Sequence, residues 1–476
     1  MAGGAEPSEP DRVERSVLAR ISPDQEQLDR VRTVREQLVE RAVASAGDLH
    51  VPLVRAVVAG SAARGTFVKG RLDIDLFLLF PPETPRADLE RDGIRLAEAL
   101  LERGELRYAE HPYLRGHFEG FTVDAVPGYA ISDSSRPQSA VDRTPFHQEY
   151  LERRETPELV GQVRLAKQFF RALNVYGADA RTGGFSGYLT ELLVLRFGSL
   201  RQLLAEAQRW RIPVDLRSDP NAAPRVPNDV ALILDDPVDP DRNVASALRR
   251  QNLALFGLAA REYLAHPTER AFELRPVARL SRNAALRRVA DRGTHVCVLR
   301  FPRPDLVDDI LYPQLRKGEL ALVAEAERLG FPVVGTASAA DGFAVITLEL
   351  EHESVPAVRR QLGPPAGIDR VGEFLAKWTR PEAPVMQGPY VNYEGRLAVE
   401  SRTERRDVES ALSERLPQLS LGKDVSAAVG AGITLESLDR AVDDPTLEEA
   451  LAALLAKRLP WVDGSGETEV SSPATD

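Results

Sequence analysis

The segment from Val54 to Phe80, VRAVVAGSAARGTFVKGRLDIDLFLLF, constrains the fold more than any other stretch of the chain. Two runs rich in apolar and β-branched residues, Leu53 to Ala59 and Leu72 to Phe80, read as strands. Gly60-Ser61 ends the first and Pro81-Pro82 the second. Side chains alternate faces along a strand, so Asp73 and Asp75 point the same way while Ile74 and Leu76 enter the core. Two carboxylates side by side repel one another unless a cation lies between them. Oxygen ligands of this kind suit Mg2+, which takes carboxylates together with substrate phosphates. Gly60 lets backbone approach a phosphate closely, and Ser61 offers its N–H and hydroxyl as donors. A third acid, Asp124, interrupts the apolar strand FTVDAVP. A lone D-x-D is a weak signal. With G-S eleven residues upstream and a third acid on a third strand, it points to a metal-assisted phosphate chemistry.

The periodicities around this segment predict an α+β multidomain chain. Leu28, Val31, Val34, Leu38 and Ala42 place a helix over 25–46. A helix over about 86–103 follows the second strand, and a third strand runs from Phe121 to Val126, closed by Pro127-Gly128. A mixed sheet with helices on one side is the economical head domain, residues 21–157, after a disordered N-terminus over 1–20. Residues 158–268 turn helical. Val163, Ala166, Phe170 and Leu173 mark one face, Arg164, Lys167 and Arg171 the opposite one, and Gly177 is a helix stop. Strands at His295 to Leu299 and Ala344 to Leu350 with a helix near 317–329 predict an α+β C-terminal region over 269–462. GSGETEVSSPATD, residues 463–476, reads as disordered.

Composition narrows the function classes. The 476 residues suffice for two to four domains. No stretch approaches the ~20 apolar residues of a spanning helix, and the polar start lacks a signal-peptide core. A single cysteine, Cys297, excludes a disulfide framework and a cysteine-cluster zinc site. A soluble cytoplasmic protein is expected. The net charge of −11 argues against a generally basic nucleic-acid binder. Six of the 61 basic residues are lysine, however, leaving 55 arginines, the better residue for bidentate phosphate recognition. Eight of them lie between Ala271 and Arg303, against only Glu273 and Asp291.

Gly60-Ser61 with Asp73-Ile74-Asp75 and Asp124 resembles the polymerase β-like nucleotidyltransferase superfamily. Four longer strings narrow the likeness: G-S-A-A-R-G-T with D-I-D over 60–80, D-R-T-P-F-H over 142–147, V-Y-G with G-F-S-G-Y-L-x-E-L-L over 175–193, and D-P-V-D-P-x-R-N-V-A over 236–245. They resemble the archaeal, class I CCA-adding enzymes, which are tRNA nucleotidyltransferases, from about residue 25 to about 400. The resemblance implies that Asp73, Asp75 and Asp124 hold two Mg2+ ions. Gly60, Ser61 and Arg64 would take the triphosphate of CTP or ATP. His147, Lys167 and Tyr176 would contact ribose, phosphate or base, and Arg242 would select the base. It also implies tRNA as acceptor, recognised by shape at its acceptor stem and elbow, with the Arg-rich stretch 275–303 among the backbone contacts. Some relatives are homodimers through the C-terminal region.

Without the resemblance, each residue has a plainer reading. His147 would be a capped structural residue, Arg164 and Lys167 would solvate a helix face, and Tyr176 would simply pack. Arg242 would pair with Asp239 or Asp241. Competing functions are a poly(A) polymerase or oligoadenylate synthetase type of transferase, and an inactive RNA-binding relative. The retained acids speak against the last.

Overall fold

The computed structural model describes residues 8–108, 112–134, 136–218, 230–430 and 432–462. The chain forms two compact units, Met1–Arg275 and Pro276–Asp476. The expected boundary after 268 moves to 275 because Phe272 is buried and packs edge-on against Phe169 and Tyr263 of the helical part. The expected disorder of 463–476 concerns residues outside those described.

The N-terminal expectation is corrected from residue 8 onward. Helix α1 (Glu9–Ile21) begins there, capped by Ser8, whose side chain accepts from the Asp11 N–H. A Ser-x-x-Asp capping box and buried Val17 and Ile21 outweigh the Gly/Pro/Glu composition that suggested disorder. Arg201 ties the helix down through Asp11 and Glu14.

The head follows as α2 (Gln25–Asp48), β1 (Arg55–Ala59), a five-residue α3 (Gly60–Arg64), β2 (Asp73–Phe80) and α4 (Arg86–Leu100). Then come β3 (Glu102–Tyr108), β4 (Pro112–Phe118), β5 (Phe121–Tyr129) and α5 (Thr144–Glu152). The sheet order is β1-β2-β5-β4-β3, with β2 and β5 parallel and the other pairs antiparallel. Its apolar face, including Ile74, Leu76, Leu78, Val123 and Ala125, packs with α2 and α4 residues such as Leu38 and Leu96. Ile74 and Leu76 are fully buried, so truncating either to Ala costs about 2–5 kcal/mol. The β3–β4 hairpin has no counterpart in the predicted elements. Every residue of β3 is exposed, so it carries no apolar alternation to read. Strand β5 also runs past Pro127-Gly128 to Tyr129. Pairing with β4 stops at Ala125, so Pro127 lies where only β2 still flanks the strand.

The helical part comprises α6 (Pro157–Ala172), α7 (Gly187–Phe197), α8 (Leu200–Ala207), short strands β6 (Val214–Asp215), β7 (Leu232–Ile233), β8 (Asp235–Asp236) and β9 (Asp239–Asn243), and α9 (Arg250–Ala265). Phe170 and Phe185 stack at 4.1 Å between centroids, and Phe256 meets both edge-on. Helix α6 stops at Ala172, five residues before Gly177.

In the second unit, α10 (Arg282–Arg292), β10 (His295–Pro302), α11 (Asp308–Leu329), β11 (Val333–Ala340) and β12 (Phe343–Leu350) precede a small module. That module is β13 (Val358–Pro365), α12 (Val371–Trp378), β14 (Val385–Val391) and β15 (Arg396–Arg402), forming a sheet in the order β13-β15-β14. Elements α13 (Val408–Arg415), α14 (Lys423–Val429), β16 (Glu436–Ser437) and α15 (Pro445–Leu455) return to the larger sheet, whose order is β11-β12-β10-β16. Val296, Val298 and Val345 on one face of that sheet form a core with α10 and α15.

Five of the eight arginines in the basic stretch serve this unit internally. Arg282 donates to the carbonyls of Asp439 and Ala441, and Arg288 to that of Leu455. Arg292 pairs with Glu349, Arg300 with Asp444 and Arg303 with Asp308. Clustered in sequence, these guanidiniums bind carbonyls and acids of their own unit rather than forming one open basic stripe.

Candidate active site

The polar face of the head sheet carries the predicted acids. In the parallel register Asp75 lies opposite Asp124, and Asp73 is two residues before Asp75 on the same face. On the other side of Asp124, the antiparallel register places Arg115 opposite it. Arg115 bridges the group, its Nη2 2.6 Å from an Asp73 oxygen and its Nη1 3.2 Å from an Asp124 oxygen. The other Asp124 oxygen is buried and has no hydrogen-bond partner among the described residues.

One guanidinium does not balance three carboxylates. Burial, then Asp124 and Asp73, push Asp75 up to about 6. Burial also raises Asp124, against the pull of Arg115. The acids thus carry surplus negative charge, an orphaned acceptor and a bridging cation already in place. That set fits divalent cations.

Gly60 holds a left-handed φ of +72° at the start of α3. A Cβ there would come within 2.6 Å of an Asp75 carboxylate oxygen, so glycine alone lets the turn lie against the acid. Beside this turn a cavity of about 290 Å³ is lined by Ser61, Arg64, Asp75, His147, Lys167 and Tyr176. Residues from the two predicted domains therefore meet in one hollow. Asp73, Asp124 and Arg242 are not among its lining residues.

Arg64 and Lys167 are fixed by acids that the sequence reading missed. Lys167 is buried, not solvated as its plainer reading had it. Its Nζ lies 2.7 Å from Glu191 and 3.1 Å from the Thr66 hydroxyl. Arg64 donates to Glu191 and Gln148 and lies 3.4 Å from Glu155. Burial opposes ionisation of Glu191, but Lys167 and Arg64 overcome it and hold its carboxyl below the usual range. Burial and the neighbouring Glu191 push Glu155 up to about 7. Arg164, on the same side of α6, donates to the carbonyls of Gly65 and Phe67 at 2.5 and 3.2 Å. The polar face of α6 is thus the seam between head and helices.

The strings D-R-T-P-F-H and D-P-V-D-P-x-R meet at Asp236. One of its oxygens accepts from Arg242 at 2.7 Å and lies 2.8 Å from His147 Nε2; the other accepts from the Tyr188 hydroxyl at 3.0 Å. Burial opposes, but the His147 and Arg242 contacts bring Asp236 down to about 2. Arg242 therefore pairs with Asp236, not with Asp239 or Asp241; Asp239 binds Arg143 at 2.7 Å. His147 stacks on Tyr188 with centroids 4.1 Å apart, and Arg171 lies 4.7 Å from the Tyr176 ring centroid. Asp142 is buried and accepts from the backbone of Tyr129, Gln138 and Ser139, anchoring the turn that leads to His147.

Glu191 stands in the quoted string G-F-S-G-Y-L-x-E-L-L and Asp236 heads D-P-V-D. An acid inside an apolar helix was the available signal for the first. For Arg115 the signal was the alternation of Leu114, Gly116 and Phe118 on β4, a strand the sequence reading did not recognise.

The architecture defines a class, the nucleotidyltransferases, and known families follow it along the chain. Residues 39–147 match the nucleotidyltransferase domain, 161–273 the tRNA nucleotidyltransferase second domain, and 292–437 the CCA-adding enzyme C-terminal domain. A CCA-adding enzyme of Halobacterium salinarum is 37% identical over 94% of this chain and 97% of its own length. That of Methanothermobacter thermautotrophicus is 35% identical over 94% and 98%, and that of Halorubrum lacusprofundi 39% over 86% and 92%. The chain belongs to the family of the CCA-adding enzymes.

Proposed function

We propose that this chain adds C, C and A without a template to the 3′ end of tRNA, using CTP and ATP and releasing pyrophosphate. The observation that carries the reading is the row Asp75–Asp124–Arg115, with Asp73 alongside, at a cavity lined by the glycine–serine turn. The likeness to CCA-adding enzymes along nearly the whole chain supports the choice of acceptor.

Asp73, Asp75 and Asp124 would hold two Mg2+ ions. Bound there, the metal would supply charge stabilisation at the leaving pyrophosphate and acidify the attacking 3′-hydroxyl. Ser61 offers its N–H and hydroxyl to the phosphates from the Gly60 turn. Arg64 and Lys167 give the same triphosphate cationic donors, already oriented by Glu191, so little reorganisation is needed when charge develops. His147 and Tyr176 meet ribose or base from the other wall of the cavity. Arg242 offers the guanidinium donors left over from Asp236 to the base edge. Catalysis on this reading is positioning and electrostatics.

The acceptor is tRNA held mostly through its backbone, for maturation and 3′-end repair in the cytoplasm. A homodimer through the C-terminal unit completes the reading, and sedimentation of the pure protein tests it. Among the described residues, no helix is long and apolar enough to cross a membrane. The deciding experiment uses tRNA lacking its last three nucleotides, with CTP and ATP together and separately. CTP alone should give two additions, and both nucleotides three, then a stop. Continued addition of A without limit would assign the poly(A) type instead.

A further inference from the structure

We propose that the C-terminal unit contains a second metal site, for Zn2+ or a similar thiophilic divalent ion, built from His295, Cys297 and Glu409. His295 and Cys297 stand two apart on β10 and so share a face, opposite the one that Val296 and Val298 turn to α10 and α15. Glu409 reaches them from the first turn of α13. One donor atom from each of the three lies within 4.8 Å of the others.

The donor chemistry is specific. Nitrogen, thiolate sulfur and carboxylate oxygen together suit Zn2+ and not Mg2+ or Ca2+, which prefer oxygen alone. Tetrahedral zinc with bonds of about 2.0–2.3 Å sets its ligand atoms roughly 3.3–3.7 Å apart. His295 Nε2 and Glu409 Oε1 are 2.6 Å apart, so they need part by only about 1 Å, within side-chain reach. Coordination forms the metal–sulfur bond as the thiol proton leaves to solvent and the proton shared by His295 Nε2 and Glu409 is displaced.

The surroundings favour a cation by an independent route. His295 and Glu409 line a cavity of about 610 Å³ together with Glu353, Asp407, Asp439 and Arg440. This opening brings an ion to His295 and Glu409 among further carboxylates, while Cys297 lies fully buried behind them and must be reached as those two side chains part. It also leaves room for water or one more carboxylate as fourth ligand. The role we assign is structural: the ion fastens α13 to the central strand β10. It is separate from the nucleotidyl-transfer site, which lies in the other unit.

The test uses the full chain, stripped of metal with a chelator and kept in excess Mg2+ so that the head acids are occupied. On titration with Co2+ we expect one equivalent to give near-ultraviolet sulfur-to-metal charge-transfer absorption, reversed by Zn2+. Cys297→Ala should abolish the band, and Glu409→Gln should weaken binding at least about tenfold. Zn2+ should raise the melting temperature of the wild type but not of Cys297→Ala. Unchanged far-ultraviolet circular dichroism and a cooperative melt of the chelator-treated variants separate lost binding from misfolding. Absence of the band, or a bound ion indifferent to both substitutions, overturns the site. The simple His295–Glu409 ion pair would then be its whole content.

Discussion

Two clusters of charge flank the same hollow, and they are balanced in opposite ways. The acids on the sheet face have one guanidinium between them, an orphaned oxygen on Asp124, and Asp75 raised to about 6. The cations across the cavity are held in place: Lys167 and Arg64 are buried against Glu191, whose carboxyl they hold low. A cluster with surplus charge and open acceptors is arranged to gain a ligand. Two cations fixed on one ionised carboxyl hold their shape and keep a positive surplus. The first suits metal ions that arrive with substrate, the second a phosphate clamp that must not collapse when substrate leaves.

The comparison breaks most visibly at the acids. Asp75→Asn or Asp124→Ala should lower CTP incorporation on the order of 10³-fold or more, the scale of losing an electrostatic stabiliser at the reacting phosphate. Folding should survive, because each substitution removes a repelling charge. A variant of either kind with near-wild-type turnover would remove the metal assignment. On the clamp side, Glu191→Gln should raise KM for CTP and lower kcat/KM about 10- to 100-fold. It should also cost about 3–5 kcal/mol of stability, since it leaves Lys167 buried beside a neutral group. Denaturant melts alongside kinetics read both effects. Loss of stability with unchanged KM would make Glu191 structural only.

These two clusters were not equally legible in the sequence. Asp73, Asp75 and Asp124 stood out because strand alternation in an apolar run says where a side chain points, whatever lies beyond it. Ser61 was legible from its glycine turn, while Arg64, His147, Lys167, Tyr176 and Arg242 came through likeness of motif, and most of them line one cavity. Their partners could not be read this way. Glu191 meets Lys167 from another helix 24 positions on, and Asp236 meets His147 across 89 positions. Hydrophobic pattern carries no information on such pairs. Arg115 was lost because β4, where buried Leu114, Gly116 and Phe118 alternate around it, was not read as a strand beside the wholly exposed β3. In the Arg-rich stretch, charge density along the chain does not say that Arg282 and Arg288 turn back to carbonyls.

The pH dependence sharpens the same contrast at smaller scale. The fold holds Asp75 above its ordinary value, to about 6, so its proton competes with metal over the range where Glu191 stays ionised. Half-saturating Mg2+ should therefore rise toward tenfold per pH unit below about 6 and level off above about 7. By the same sign, the ionised carboxyl costs the metal-free protein stability that acidification from about 6 to 4 returns through this group. Activity against Mg2+ at several pH values decides it; a requirement flat from pH 5 to 8 would mean that Asp75 is not a ligand.

The smallest expected effect concerns Arg115, the one charge that sits in the acid cluster without belonging to it. Its guanidinium spans Asp73 and Asp124, oxygens that the proposed metal ions must also use. It therefore competes with metal, while keeping like charges from forcing the strands apart in its absence. Its side chain is about a third exposed, so water screens the competition and only ~1 kcal/mol should be at stake. Arg115→Gln should then lower half-saturating Mg2+ about fivefold and leave maximal turnover close to wild type. The metal-free variant should be the less stable one, and Mg2+ should restore it. If the metal requirement instead rises, Arg115 helps build the ion site rather than guarding it, and the surplus charge of the three acids would need another explanation.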